Sequence, residues 1–388
     1  GEVWPRSFRV IGMEGDVRRE GSRLLASLRA LALENSRAEG RVDVRWGGGS
    51  GIRVSVEGNA EPLALDDIGF IVDRLPRGHA RGPFGLELSD DGLLLDFQGT
   101  RLTSELGNIT ARGGLFLGEE IGFTDLDLDM ADLDLAVTDP WVVDTLPLRG
   151  RLTGSLILDG SMDELQVDGL MDLADSDSTA FLTAGISGGM GFRPGFSASS
   201  LDLTLAPLDW GALASVSPSM TLRGSGRVGL SVSGSLWGDG LRIEEADFTH
   251  VPPGRAGRGT AGAGGGGGLA LAQGASRVTL NGSVRRDSTS TYLDLSGNLS
   301  PLSLTALRGS FPELPLEGEY QGSLEARGPL SDLSMEAELE TSGGPLTLRT
   351  RFDAGRVRES YLLEAEAREP FVLSNLVPAL PDPTEAVS

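Results

Sequence analysis

The strongest constraint on what this chain can fold into is that it repeats itself. The block Leu146-Pro147-Leu148-Arg149-Gly150, Gly154-Ser155-Leu156, Gly160 returns without a gap as Leu314-Pro315-Leu316-Glu317-Gly318, Gly322-Ser323-Leu324, Gly328. A third copy keeps Leu222-Arg223-Gly224 and Gly234, and a degenerate one reads Leu75-Pro76-Arg77-Gly78 and Gly82. Upstream of each block an alternating strand runs into a second signature. Its copies are Pro62-Leu63-Ala64-Leu65, Asp132-Leu133-Asp134-Leu135, Pro207-Leu208-Asp209-Trp210, Pro301-Leu302-Ser303-Leu304 and Pro370-Phe371-Val372-Leu373. From 62 to 132, 207, 301 and 370 the steps are 70, 75, 94 and 69 residues. A fixed period of this kind predicts an array of one supersecondary unit, in which each copy buries its apolar side against its neighbours.

Within a copy the apolar period is two. Leu126, Leu128 and Met130 alternate with Asp125, Asp127 and Asp129, so leucines fall on one face of a strand and carboxylates on the other. Leu201 to Leu205, Leu156 to Leu158, Val228 to Val232 and Leu346 to Leu348 alternate in the same way. The run Ser22 to Leu33 fits either helix or strand and is read as strand, because Arg41-Val42-Asp43-Val44 continues an alternating pattern. Gly78, Gly150, Gly224 and Gly318 mark the place where each copy turns or bulges. Helical spacing over Asp67 to Leu75, and the matching stretches Trp141 to Leu146 and Leu304 to Leu314, predict a short helix closed by Pro76, Pro147 or Pro315.

These patterns divide the 388 residues into a β-rich start at 1–60, repeats at 61–130, 131–205, 206–299 and 300–368, and a truncated fifth repeat at 369–388. The long third step has a visible cause in 251–275, a Pro- and Gly-rich stretch with Gly264 to Gly268 at its centre, which reads as an inserted linker. Arg255 and Arg258 stand near the glycines, but no Lys-Ser/Thr follows them as a phosphate loop requires.

Charge and composition narrow the function. The formal charge of −23 repels nucleic acid and anionic head groups unless a local basic patch exists. There are no cysteines, hence no disulfides or thiolate metal sites. The two histidines, His79 and His250, have no Ser, Cys or second His at motif spacing, which leaves a nucleophilic triad unsupported. Glu119-Glu120 and Glu244-Glu245 point to opposite faces if they lie on strands. The acidic runs at Asp125 to Asp134 and at Asp172, Asp175 and Asp177 lack the Gly and Glu of a calcium loop. No catalytic residue, metal site or cofactor is expected. The chain shows no leader and no 18-residue apolar run, and its ends read as cut from something longer, with any anchor outside them.

The combination of an alternating strand, Pro301-Leu302-Ser303-Leu304, the stretch to Leu314-Pro315-Leu316-Glu317-Gly318, then Gly322-Ser323-Leu324, Gly328 and Leu330-Ser331-Asp332-Leu333 resembles the AsmA-like family of Gram-negative envelope proteins, and within it the translocation and assembly module (TamB) branch. Leu146 to Leu165 match as a second copy. The resemblance implies a mainly β fold, an elongated repetitive antiparallel sheet curved into a half-pipe (a β-taco) with short helices between repeats. It implies a periplasmic location and an inner-membrane anchor outside this segment. The function implied is movement of phospholipid or another acyl-chain lipid toward the outer membrane, or support of outer-membrane protein assembly with envelope membrane proteins as partners. The residues expected to line such a groove are Leu126, Leu128, Leu201, Leu203, Leu205, Leu293 and Leu295. The competing expectation is a structural or adhesive β-repeat protein with a filled core and no lipid cargo, which would show the same alternation.

Overall fold

The computed structural model describes residues 10–47, 51–68, 77–135, 150–174, 180–193, 195–211, 222–253, 274–308, 310, 317–353 and 361–367. It divides into two units, Gly1–Ala180 and Phe181–Ser388. The first carries β1 (Gly12–Glu20), β2 (Arg23–Ala32), β3 (Arg37–Trp46), β4 (Ile52–Ala64), β5 (Gly78–Ser89), β6 (Gly92–Ser104), β7 (Gly107–Gly118), β8 (Ile121–Asp134), β9 (Arg151–Ser161) and β10 (Glu164–Ala174). The second carries β11 (Ala180–Gly191), β12 (Ser197–Asp209), β13 (Ser225–Ser235), β14 (Gly240–Val251), β15 (Ser276–Arg286), β16 (Thr291–Ser303), β17 (Glu319–Pro329), β18 (Leu333–Thr341), β19 (Gly344–Phe352) and β20 (Tyr361–Ala367).

Each unit is an antiparallel meander in which every strand pairs with the next in sequence. All twenty described strands belong to one sheet, which is not closed into a barrel. Within the stretch Ser22 to Leu33, Arg23–Ala32 form the strand β2, which pairs with β3. Gly-rich alternating sequence suits this architecture, since a hairpin meander needs only tight turns and one buried face per strand.

At the four described copies the repeat marker is a bulge, while Pro370 lies outside the described residues. Pro62, Pro207 and Pro301 follow cis peptide bonds and sit inside register shifts at Ala60/Leu63, Leu205/Leu208 and Leu299/Leu302. The copy without proline solves the same position with Asp132, whose φ of 56° places it in the left-handed region within the shift Met130/Leu133. Proline has no N–H to give to the ladder, which is why it is tolerated at a bulge and not at a paired position.

The helices expected between repeats are scarcely represented. The only α-helix among the described residues is the turn α1 (Leu304–Leu307), capped by the Ser303 side chain accepting from the Ala306 N–H, and Leu65–Ile68 forms a 3-10 turn. Trp141 to Leu146 lies outside the described residues, as do most of Asp67 to Leu75 and, of the third stretch, 309 and 311–314. Of the Gly-rich insertion, 254–273 also lie outside. Its flanks are ordered parts of the sheet: Val251 ends β14, Ala275 is buried, and His250 pairs with Ser276 across the gap.

Candidate functional site

Cross-strand partners in an antiparallel ladder point to one side of the sheet, so the register maps its two faces. In the second unit one row runs Ile186–Leu203–Leu230–Ala246–Leu280–Gly297–Leu324–Ala337–Leu348, crossing nine strands without a polar side chain. The next row, Ala184–Leu205–Val228–Phe248–Val278–Leu299–Gly322–Leu339–Leu346–Ala367, crosses all ten. In the first unit the row Val42–Val56–Leu86–Leu95–Leu115–Phe123–Gly160–Leu165 crosses eight strands. The expected lining residues all fall on these apolar faces: Leu126 and Leu128 in the first unit, and Leu201, Leu203, Leu205, Leu293 and Leu295 in the second.

Leu126 and Leu201 are buried, whereas Leu128, Leu203, Leu205, Leu293 and Leu295 are half-buried, so solvent reaches much of this face. The deepest packing lies toward the repeat markers. Leu208 has no exposed surface, and Leu299, Tyr320 and Leu339 form a buried cluster joined by Val278, Leu302 and Leu346.

Sequence reasoning missed the role of glycine on this face. Gly297 lies between Leu280 and Leu324, and a methyl on it would stand 2.5 Å from Leu280 Cδ2. Gly169 stands in the same relation to Leu156, where the distance would be 2.9 Å to its Cδ1. Leucine over glycine closes the gap between neighbouring strands and lets side chains lie flat along the face. The available signal was glycine at an apolar position of a strand, a sign of close approach by a neighbour.

The opposite face is polar and laced with ion pairs. Arg277 meets Asp247 at 2.9 Å, Arg327 meets Asp294 at 3.1 Å and Arg349 meets Glu336 at 2.9 Å. In the first unit Asp43 accepts from Arg23 and Arg45, each at 2.7 Å, and these hydrogen bonds, Arg23's first, hold its carboxyl far below the usual carboxylate range. Asp127 and Asp129 lie on this face near Arg112, while Asp125 and Asp132 sit at bulges with positive φ and Arg151 pairs with Asp132. The faces differ sharply in exposure within one strand: on β10 Leu165 and Val167 are 6 % and 7 % exposed, Leu170 on the other side 60 %.

The remaining candidates stay dispersed. His79 is a paired residue of β5. His250 is buried, and its Nε2 lies 2.8 Å from the Arg223 carbonyl oxygen. Of the acidic run, Asp175 and Asp177 lie outside the described residues. Among the described residues no three metal-ligating side chains converge, and no helix is long and apolar enough to cross a membrane. The chemistry this arrangement offers is exclusion of water from apolar matter, about 0.8 kcal/mol for each methylene covered. Comparison with protein-family models, curated proteins and solved structures returns no match.

Proposed function

We propose that the apolar face is the lining of a half-pipe that holds lipid acyl chains out of water, and that the chain is a non-enzymatic scaffold of the Gram-negative periplasm. In this reading it carries phospholipid between inner and outer membranes, or supports outer-membrane protein assembly, with its anchor in a segment outside the sequence. The carrying observation is the pair of unbroken apolar rows in the second unit, in which Leu203, Leu205 and Leu280 remain half-buried. Curvature toward the apolar side is supported by the contrast between buried Leu165 and exposed Leu170 on one strand, since a flat single layer would expose both faces alike. The resemblance to AsmA-like repeats supplies the lipid and the compartment.

The second reading, a β-repeat protein with a filled core, draws on the Leu299, Tyr320 and Leu339 cluster, which is already closed by its own side chains. Native mass spectrometry of chain purified without detergent separates the two. Adducts at phospholipid masses are the expected result; a lipid-free spectrum that stays lipid-free after incubation with phospholipid rejects the groove.

A further inference from the structure

The second unit presents a feature that its acyl-binding reading does not use. Three successive hairpin turns, β11–β12, β13–β14 and β15–β16, are tied edge to edge by backbone bonds: the Leu236 N–H donates to the Phe196 carbonyl at 2.9 Å, and the Arg286 N–H to the Leu236 carbonyl at 2.8 Å. A parallel bridge between Trp237 and Arg286 adds to them. The result is a continuous rim, and its side chains are of one kind. Phe192 is 45 % exposed and meets Phe196 edge to face with centroids 6.2 Å apart. Trp237 is 39 % exposed beneath the Arg286 guanidinium at 5.4 Å, and Arg285 lies over Tyr292 at 5.2 Å.

Exposed aromatic rings beside arginines are the composition of a membrane–water interface. The rings are apolar bodies that tolerate the head-group region, and guanidinium groups pair with phosphate. The charge of the rim stands against the rest of the molecule. The net charge is −23, yet these turns carry Arg193, Arg285 and Arg286 against Asp239 and Asp287, and Asp287 is engaged by the Thr289 and Ser290 N–H groups. Two hairpin turns of the first unit, at Asp90-Asp91 and Glu119-Glu120, are acidic instead, although Arg19 over Trp46 repeats the arginine–aromatic pairing at its first turns. We infer that the rim formed by Phe192, Trp237, Arg285 and Arg286 docks the second unit onto a bilayer surface bearing anionic phospholipid.

The inference stands on the rim alone and is separable from the acyl lining. The 388-residue chain is mixed with phosphatidylethanolamine vesicles with and without phosphatidylglycerol, and floated through a density gradient while tryptophan emission is recorded. The expected result is flotation with the phosphatidylglycerol vesicles and a blue shift. Arg285→Gln with Arg286→Gln lowers partitioning about thirtyfold, the combined effect of two basic side chains near an anionic surface. Trp237→Phe keeps flotation and loses most of the shift, and Leu203→Arg leaves flotation unchanged. Phe192→Ser, on a different turn, provides a second variant if the arginine pair disturbs folding. Failure of wild-type chain to float, or flotation that survives both rim variants, overturns the inference.

Discussion

The backbone N–H of Trp210 donates to the carbonyl of Gly224 at 2.9 Å, and the same bond joins Leu135 to Gly150 at 3.1 Å and Leu304 to Gly318 at 3.0 Å. The donor is always three residues past the repeat marker, and the acceptor is always the first glycine of the following block. In these three copies two sequence signatures that stand 14 or 15 residues apart are therefore halves of one structural device, which clamps the two ends of the connecting segment.

The clamp predicts the cost of losing its glycine. Gly224 has φ of 114°, and a methyl there would overlap the Val251 carbonyl oxygen. Gly224→Ala is expected to destabilise the second unit by about 1–3 kcal/mol. Urea unfolding followed by circular dichroism would show the midpoint falling, and an unchanged midpoint would refute the clamp.

A second device lies beside it. The Ser276 hydroxyl, on a residue only 3 % exposed, accepts from the Ser303 N–H at 2.9 Å, and Ser36 accepts from the Ala64 N–H at 2.8 Å at the equivalent place two residues past Pro62. Ser276→Ala leaves a buried N–H without an acceptor, at about 1–3 kcal/mol. Ser276→Thr should recover much of the loss, because the hydroxyl returns.

The apolar face can be probed with a pair of substitutions. Leu208 is fully enclosed, and its replacement by Ala should cost about 2–5 kcal/mol. Leu203 is half-buried in the middle of its row, so Leu203→Arg should reduce phospholipid adducts in native mass spectra at a smaller cost in stability. If Leu203→Arg proves the more destabilising of the two, the face is a closed core.

The polar face predicts an acid limb in the stability profile. Arg23 and Arg45 depress the folded-state pKa of Asp43, and Arg351 depresses that of Asp332, each from an ordinary 3.8. A depressed carboxyl stabilises the fold fully above its unfolded-state value and loses that contribution as pH falls toward the folded one. The urea midpoint should hold steady above about pH 5 and decline below about pH 4. Asp43→Asn should flatten part of that decline, whereas a midpoint that rises on acidification would contradict the assignment.

Much of this organisation was legible in the residues. Strand existence followed from period two, since Leu126 and Leu128 or Leu201 and Leu203 leave no other way to gather leucines on one side. Pro62, Pro207 and Pro301 mark the period of the repeat, but the residues alone place the turn or bulge at Gly78, Gly150, Gly224 and Gly318, and the register shifts at the prolines are visible only in the pairing. What could not be read was cross-strand. Leu280 lying over Gly297, or Phe196 tied to Leu236 and Leu236 to Arg286, depends on register between segments far apart in sequence, and a single strand pattern carries no register. Of the expected helices only the Leu304 to Leu314 stretch is described in its larger part, and there an apolar spacing of three or four gives no more than the single turn Leu304–Leu307.

Pairing each strand only with its sequence neighbours has a consequence for how such a molecule can change over generations. His250 and Ser276 remain direct partners although 25 residues separate them, so the ladder has absorbed an insertion at a turn without shifting a rung. Loss or gain of a whole hairpin would likewise disturb just the two strands it touched. Length in this architecture is a free variable, open to adjustment by duplication of a single repeat while every other hydrogen bond keeps its partner.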